Sequence, residues 1–127
     1  MVGIVVVSHS QKIAEGAVEL AKQMAAEARI AAAGGMEDGS IGTDVSKIFA
    51  GIEAVDEGDG VVILVDLGSA VMSSEMAIEM LEDGSKVKIV DAPIVEGTIF
   101  SSVEASIGSS LEEVIEVLAG CKTYKKF

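Results

Sequence analysis

The 127-residue chain has no tryptophan and only one cysteine, one proline and one histidine. Aromatic residues make up 3% of a sequence that is 50% hydrophobic, so its core has to be aliphatic: Val, Ile, Leu, Ala and Met. A lone Cys121 excludes an internal disulfide and a zinc site built from cysteines, and the composition fits a reducing cytoplasm. No apolar run approaches the roughly 20 residues that cross a bilayer. Residues 1–7 lack a basic leader and a cleavage pattern, and read as a strand. Basic residues are scarce as well: 9 Lys and Arg against 21 Asp and Glu give a net charge of −12. Such a polyanion repels nucleic acid and acidic membranes and is steered toward basic protein surfaces. Part of the small positive complement gathers in the tail, at Lys122, Lys125 and Lys126. Neither GxxxxGK[ST] nor GxGxxG occurs, which argues against a nucleotide site within the chain; no cofactor and no metal are expected.

What remains is a regular alternation. Residues 2–7 form a continuous β-branched run, as expected for a strand buried on both faces of a parallel sheet. Residues 11–28 carry Ile13, Ala17, Leu20, Ala21 and Met24 at helical spacing. A short strand over 29–33 ends at Gly34 and Gly35, and a loop over 36–42 leads to a helix with Thr43 as its expected cap. Val61–Val65 is another fully apolar strand, followed by a helix over 69–81 stopped by Gly84. Val87–Val90 is the fourth strand and 98–107 the fourth helix. Ser110 and Glu113 form a capping-box pattern that opens a last helix, with Gly120 as its stop. The order β-α-β-α-β-α-β-α-α predicts one α/β domain over 1–127: a three-layer, open, mainly parallel sheet with helices on both faces.

In such sheets ligands bind beyond the carboxyl ends of the strands, at the switch in strand order. The chain places there Ser8-His9-Ser10 after strand 1, the Gly34–Thr43 loop after strand 2, Asp66-Leu67-Gly68-Ser69 after strand 3, and Asp91 after strand 4. A neutral imidazole accepts a phosphoryl group when its other nitrogen keeps its proton and the ring is held. Asp66 is the candidate orienter, against the plainer reading of a strand-ending aspartate that caps a helix. Helix N-termini and the hydroxyls of Ser10, Thr43 and Ser69 are candidate donors to phosphate oxygens. Gly35 and Gly68 would allow close backbone approach, or simply make turns. An aspartyl-phosphate receiver is disfavoured, because strand 1 is not followed by an acidic pair. Met72, Met76 and Met80 form one stripe, expected to face the core, with a subunit interface as the sharper alternative. Cys121 reads as incidental, and Glu112, Glu113 and Glu116 as a solvated helix face.

Three segments in order, GIVVVSHS with His9, GGMEDGSIGTDVSKI from Gly34 and VILVDLGSAVMSSEMA from Val62, resemble the phosphotransfer subunits of phosphoenolpyruvate-dependent dihydroxyacetone kinases. These are similar in turn to the enzyme IIA domains of mannose-type sugar phosphotransferase systems. The resemblance covers essentially the whole chain. It implies that His9 accepts a phosphoryl group from the phosphocarrier HPr and passes it to ADP on the nucleotide-binding kinase subunit, whose partner subunit holds dihydroxyacetone. It implies a homodimer, Asp66 as the partner of His9, and Gly68, Ser69, Gly35 and Thr43 beside the phosphate. Because the chain stops at Phe127, the phosphoryl group is expected to come from separate carriers. A mannose-type transporter component is the second reading; its bulky Trp-Gly-Gly segment is replaced here by Leu67-Gly68-Ser69-Ala70. A regulatory module phosphorylated at His9 is the third.

Overall fold

A computed structural model describes all 127 residues. The elements are β1 (Gly3–Ser8), α1 (Gln11–Met24), β2 (Ile30–Gly34), α2 (Val45–Val55), β3 (Val61–Val65), α3 (Gly68–Glu79), β4 (Val87–Val90), α4 (Ile94–Ser106) and α5 (Leu111–Gly120), with a 3-10 turn at Cys121–Thr123. The sheet order is β2-β1-β3-β4 and every pairing is parallel. The chain therefore steps outward from β1 to β2, then returns to the other side of β1. The switch point lies between β1 and β3, at Ser8 and Val65.

Two cores fill the two faces. Val2 just ahead of β1, Ile4 and Val6 of β1, and Val62 and Leu64 of β3 join Ala14, Ala17 and Ala21 of α1, Ala105 of α4 and Leu118 of α5. Val5, Val7, Val61 and Ile63 point the other way, onto Ile48 and Ile52 of α2 and Ala70 and Ala77 of α3. This is the side-to-side alternation of a strand buried on both faces.

Several boundaries differ from the sequence expectation, each for a local reason. Helix α2 is capped by Asp44, not Thr43: one carboxylate oxygen accepts from the N–H groups of Ser46 and Lys47. Helix α4 starts four residues earlier than 98, directly after Pro93, which cannot donate to a preceding turn. Helix α1 ends at Met24, not 28, and β2 lies one residue later than expected. Helix α3 ends at Glu79, ahead of Gly84. Gly120 lies inside α5, which tightens into the 3-10 turn rather than stopping. The capping box is present: Ser110 Oγ accepts from the Glu113 N–H and the Glu113 carboxylate from the Ser110 N–H. Cys121 is not at a frayed end but buried, in the core beside Leu118; burial, and after it Glu96, push its thiol pKa up.

The helices sit close to the sheet because they bury small side chains. On α3 the buried residues are Ala70, Ser74 and Ala77, so the methionine stripe expected in the core points outward, with Met72 68% exposed. Gly34 serves the same closeness at β2: a Cβ there would lie 2.6 Å from the Ser10 carbonyl oxygen and 2.7 Å from Ala14 Cβ.

Candidate active site

His9 leaves β1 at the switch point, and Asp66 leaves β3 beside it. The Asp66 carboxylate gathers four donors. Oδ1 accepts from the His9 ring at Nδ1, 2.9 Å, and from the Leu67 N–H, 2.8 Å. Oδ2 accepts from the Ser8 hydroxyl, 2.8 Å, and from the His9 main-chain N–H, 3.0 Å. Burial alone would push the Asp66 carboxyl up; the bonds from His9 and Ser8 outweigh it and hold it below the usual carboxylate range. An ionised carboxylate only accepts, so Nδ1 carries a proton, and in the neutral ring Nε2 then carries the lone pair. Nε2 faces the Ser69 hydroxyl at 2.6 Å, which donates to it. The imidazole is 20% exposed: its edge is reachable and its other edge is gripped.

The main chain of His9 is held on both sides. Its N–H is taken by Asp66, and its carbonyl accepts from the Gly42 N–H at 2.8 Å. Gly35 N–H donates to the Ser8 carbonyl at 3.1 Å, and Gly35 and Gly42 both have positive φ, at 71° and 147°. The turns after β2 thus clamp the end of β1. Lys47 ties that loop down by donating to the carbonyls of Gly34 and Met36.

Ser69 opens α3, whose N-cap Leu67 supplies no side-chain cap. The N–H groups of Gly68 and Ser69 have no acceptor within the chain, and the positive end of the helix dipole lies at the same place. A phosphoryl group on Nε2 would meet these two donors and the Ser69 hydroxyl, the arrangement that binds oxyanions at helix N-termini. Beside it a hollow of about 540 Å³ opens between the ends of β3 and β4, lined by Asp66, Leu67, Gly68, Glu75 and Asp91 among others.

Of the seven residues expected at the site, the fold brings His9, Asp66, Gly68 and Ser69 together. Ser10 instead caps α1, its hydroxyl accepting from the Ile13 N–H. Thr43 pairs with Ser73 at 2.7 Å and fixes the loop to α3; Gly35 supports β1 from below. None of these three hydrogen-bonds to the ring. The sequence reading gave Ser8 no role, yet it is fully buried, donates to Asp66 and accepts from the Ser10 N–H. A serine continuing a strand of valines was the available signal. No group of three or more His, Cys, Asp or Glu side chains is arranged to hold a metal ion, and no helix is long and apolar enough to cross a membrane.

The chain is similar to several known proteins. A family model for the fructose IIA component of the phosphotransferase system matches residues 3–115. The phosphoryl donor subunit DhaM of a phosphoenolpyruvate-dependent dihydroxyacetone kinase from Escherichia coli is 43% identical over 121 residues, which are 91% of this chain and 26% of that protein. The chain thus spans about a quarter of the length of that relative. A corresponding DhaM subunit from Listeria innocua is 37% identical, and there the match covers 93% of this chain and 97% of the relative. A crystal structure of a protein of unknown function superposes with a TM-score of 0.86 at 38% identity, covering 99% of this chain and 98% of that one. A phosphotransferase component EIIA from Streptococcus agalactiae shares the fold, with a TM-score of 0.71 at 13% identity over 97% and 93% of the two chains. Sequence match and fold agree: the chain belongs to the EIIA-man family of phosphotransferase-system IIA components.

Proposed function

We propose that the protein is a phosphohistidine carrier, with His9 Nε2 as the seat of the phosphoryl group. The observation that carries this is the opposed pair of bonds on one ring: Nδ1 on the Asp66 carboxylate and Nε2 on Ser69 at the head of α3. In the transfer, a bond forms between Nε2 and phosphorus as the bond from phosphorus to the donor breaks. The ring keeps its Nδ1 proton and becomes cationic, and Asp66 balances that charge. The Ser69 hydroxyl turns from Nε2 to a phosphoryl oxygen, beside the free N–H groups of Gly68 and Ser69. The reverse sequence discharges the group.

The DhaM relatives support a phosphoryl donor role within a dihydroxyacetone kinase. The reading is therefore that phospho-HPr charges His9 and that the phosphoryl group passes to ADP on the nucleotide-binding subunit. Protein incubated with phosphoenolpyruvate, the first general phosphotransferase enzyme and HPr gains one acid-labile, base-stable phosphate; His9→Ala gains none. Adding the two kinase subunits and dihydroxyacetone discharges it. Discharge by mannose-permease components instead makes the chain a transporter component, and discharge by neither makes it a regulatory module. Persistent labelling of His9→Ala refutes the carrier assignment.

The homodimer expected from the resemblance has support on the opposite face. Ile13, Leu20 and Met24 stand exposed on one flank of α1, which lies along α4 with its exposed Val103. That flank of α1 bears no charge. For a chain of −12, a charge-free apolar face is where two copies meet with least repulsion.

A further inference from the structure

We propose that the outer face of α3, centred on Met72, Met76 and Met80, is the docking surface for the proteins that exchange phosphoryl groups with His9. The partner it fits is a protein surface with an apolar centre ringed by lysine or arginine. The inference rests on His9 being the phosphoryl acceptor.

Ser69, Met72 and Met76 follow one another at helical spacing on one flank of α3, and Met80, its C-cap, continues the line. The stripe therefore begins at the residue that hydrogen-bonds the reacting nitrogen, 2.6 Å away. All three methionines are more than half exposed, although nothing in the buried face of the helix requires methionine there. Leu67 and Ile41, at 61% and 75% exposure, extend the apolar surface around the mouth of the site. The Thr43–Ser73 bond holds the loop that carries Ile41 against the second turn of α3.

The charges that α3 itself presents are of one sign. Glu75 and Glu79 are the only charged residues of α3 and both are exposed; Glu53 of α2 and Glu82 beyond α3 are exposed too. The one cation of α2, Lys47, is committed to the carbonyls of Gly34 and Met36. An acidic rim around an apolar strip selects a basic protein and repels an anionic membrane or nucleic acid. A basic rim would also bring to the site the cation it lacks, at the moment a phosphoryl group of about −1.5 to −2 charge arrives. Two different proteins, donor and acceptor, must reach the same nitrogen and so cover the same surface in turn. Unbranched, polarisable methionine re-packs against different partners.

The test compares steady-state phosphorylation by phospho-HPr in the wild type and in a Met72→Glu/Met76→Glu double variant, both on the full chain. The expected result is a KM for phospho-HPr raised tenfold or more, with kcat within about threefold and the hydrolytic half-life of phospho-His9 unchanged. Met76→Leu stays near wild type, and Phe127→Glu, an apolar-to-acid change at the exposed end of the tail, leaves KM alone. Glu75→Lys/Glu79→Lys flattens the fall of kcat/KM with salt, while Glu112→Lys on α5 does not. If the wild type takes up no phosphate from phospho-HPr, the carrier reading fails and the docking proposal falls with it. If the wild type is charged but the double methionine variant keeps its KM within twofold, the docking surface is refuted and the carrier reading stands.

Discussion

Replacing Asp66 with Asn tests the central arrangement, because the isosteric side chain keeps the shape and removes the charge. The carboxylate accepts four hydrogen bonds, two at each oxygen. An amide offers one oxygen and one NH2. If the oxygen sits at the Oδ1 position, the NH2 opposes the His9 main-chain N–H. If the amide is flipped, the NH2 opposes the Leu67 N–H and His9 Nδ1, and drives the ring proton to Nε2, the nitrogen that has to react. Either way one backbone donor is left facing another donor, at a cost of about 1–3 kcal/mol. For a chain of this size, that lowers the melting temperature by roughly 3–10 °C. The kinetic cost is separate. A unit negative charge about 4 Å from the ring centre contributes about 4 kcal/mol at an effective dielectric near 20. Partial exposure of both groups trims this to about 2–3 kcal/mol, or roughly 30- to 200-fold in the phosphorylation rate of His9. Rapid-quench measurement of phosphoryl uptake gives the rate, and thermal unfolding gives the stability. A folded Asp66→Asn variant that takes up phosphate within threefold of the wild-type rate would refute the orienting role.

Other expectations follow from single contacts. The Asp66 carboxyl is held below its ordinary range in the folded protein. Its stabilising contribution is therefore complete above about pH 4, the unfolded value, and is lost as pH falls through the folded pKa; the stability gap between wild type and Asp66→Asn narrows in that acid window, as urea unfolding at a series of pH values will show. Ser8→Ala removes a buried donor to Asp66 and the acceptor of the Ser10 N–H; chemical unfolding should show a loss of about 1–3 kcal/mol, with slower charging of His9. Gly34→Ala forces a Cβ into the Ser10 carbonyl and costs about 1–3 kcal/mol, whereas Ser110→Ala breaks the capping box at about 1 kcal/mol. Leu20→Glu places a charge on the apolar flank of α1 and should shift the protein toward monomer, as read by light scattering after size exclusion.

The sequence made some elements fully legible and others only in outline, for identifiable reasons. β3 and β4 have the expected bounds: the run of β3 is apolar throughout, that of β4 is interrupted only by the exposed Lys88, and turn residues bound both. The start of α5 is written in its capping box. Hydrophobic spacing misled where helices lie close to the sheet. On α1 the residues that go inside are Ala14, Ala17 and Ala21, while Ile13, Leu20 and Met24 stay outside. On α3 the same exchange leaves the methionines exposed. Closeness favours small side chains on the buried face, so counting large apolar residues points to the wrong flank. At the site, His9 and Asp66 were legible from the strand-end rule, since each follows a buried strand. Ser8 was not, because its value lies in a bond to a residue 58 positions away. The cap of α2 fell on Asp44 and not its neighbour Thr43 because one carboxylate oxygen reaches two N–H groups at once.

The grip on both sides of the His9 backbone has a consequence for how loading is announced. With its N–H, its carbonyl and Nδ1 all engaged, the one group at the ring that has to rotate on loading is the Ser69 hydroxyl. On the carrier reading, loading then requires no change in the other contacts that hold His9. A protein that tells such a full carrier from the empty one would then have the added negative charge at the head of α3 to sense.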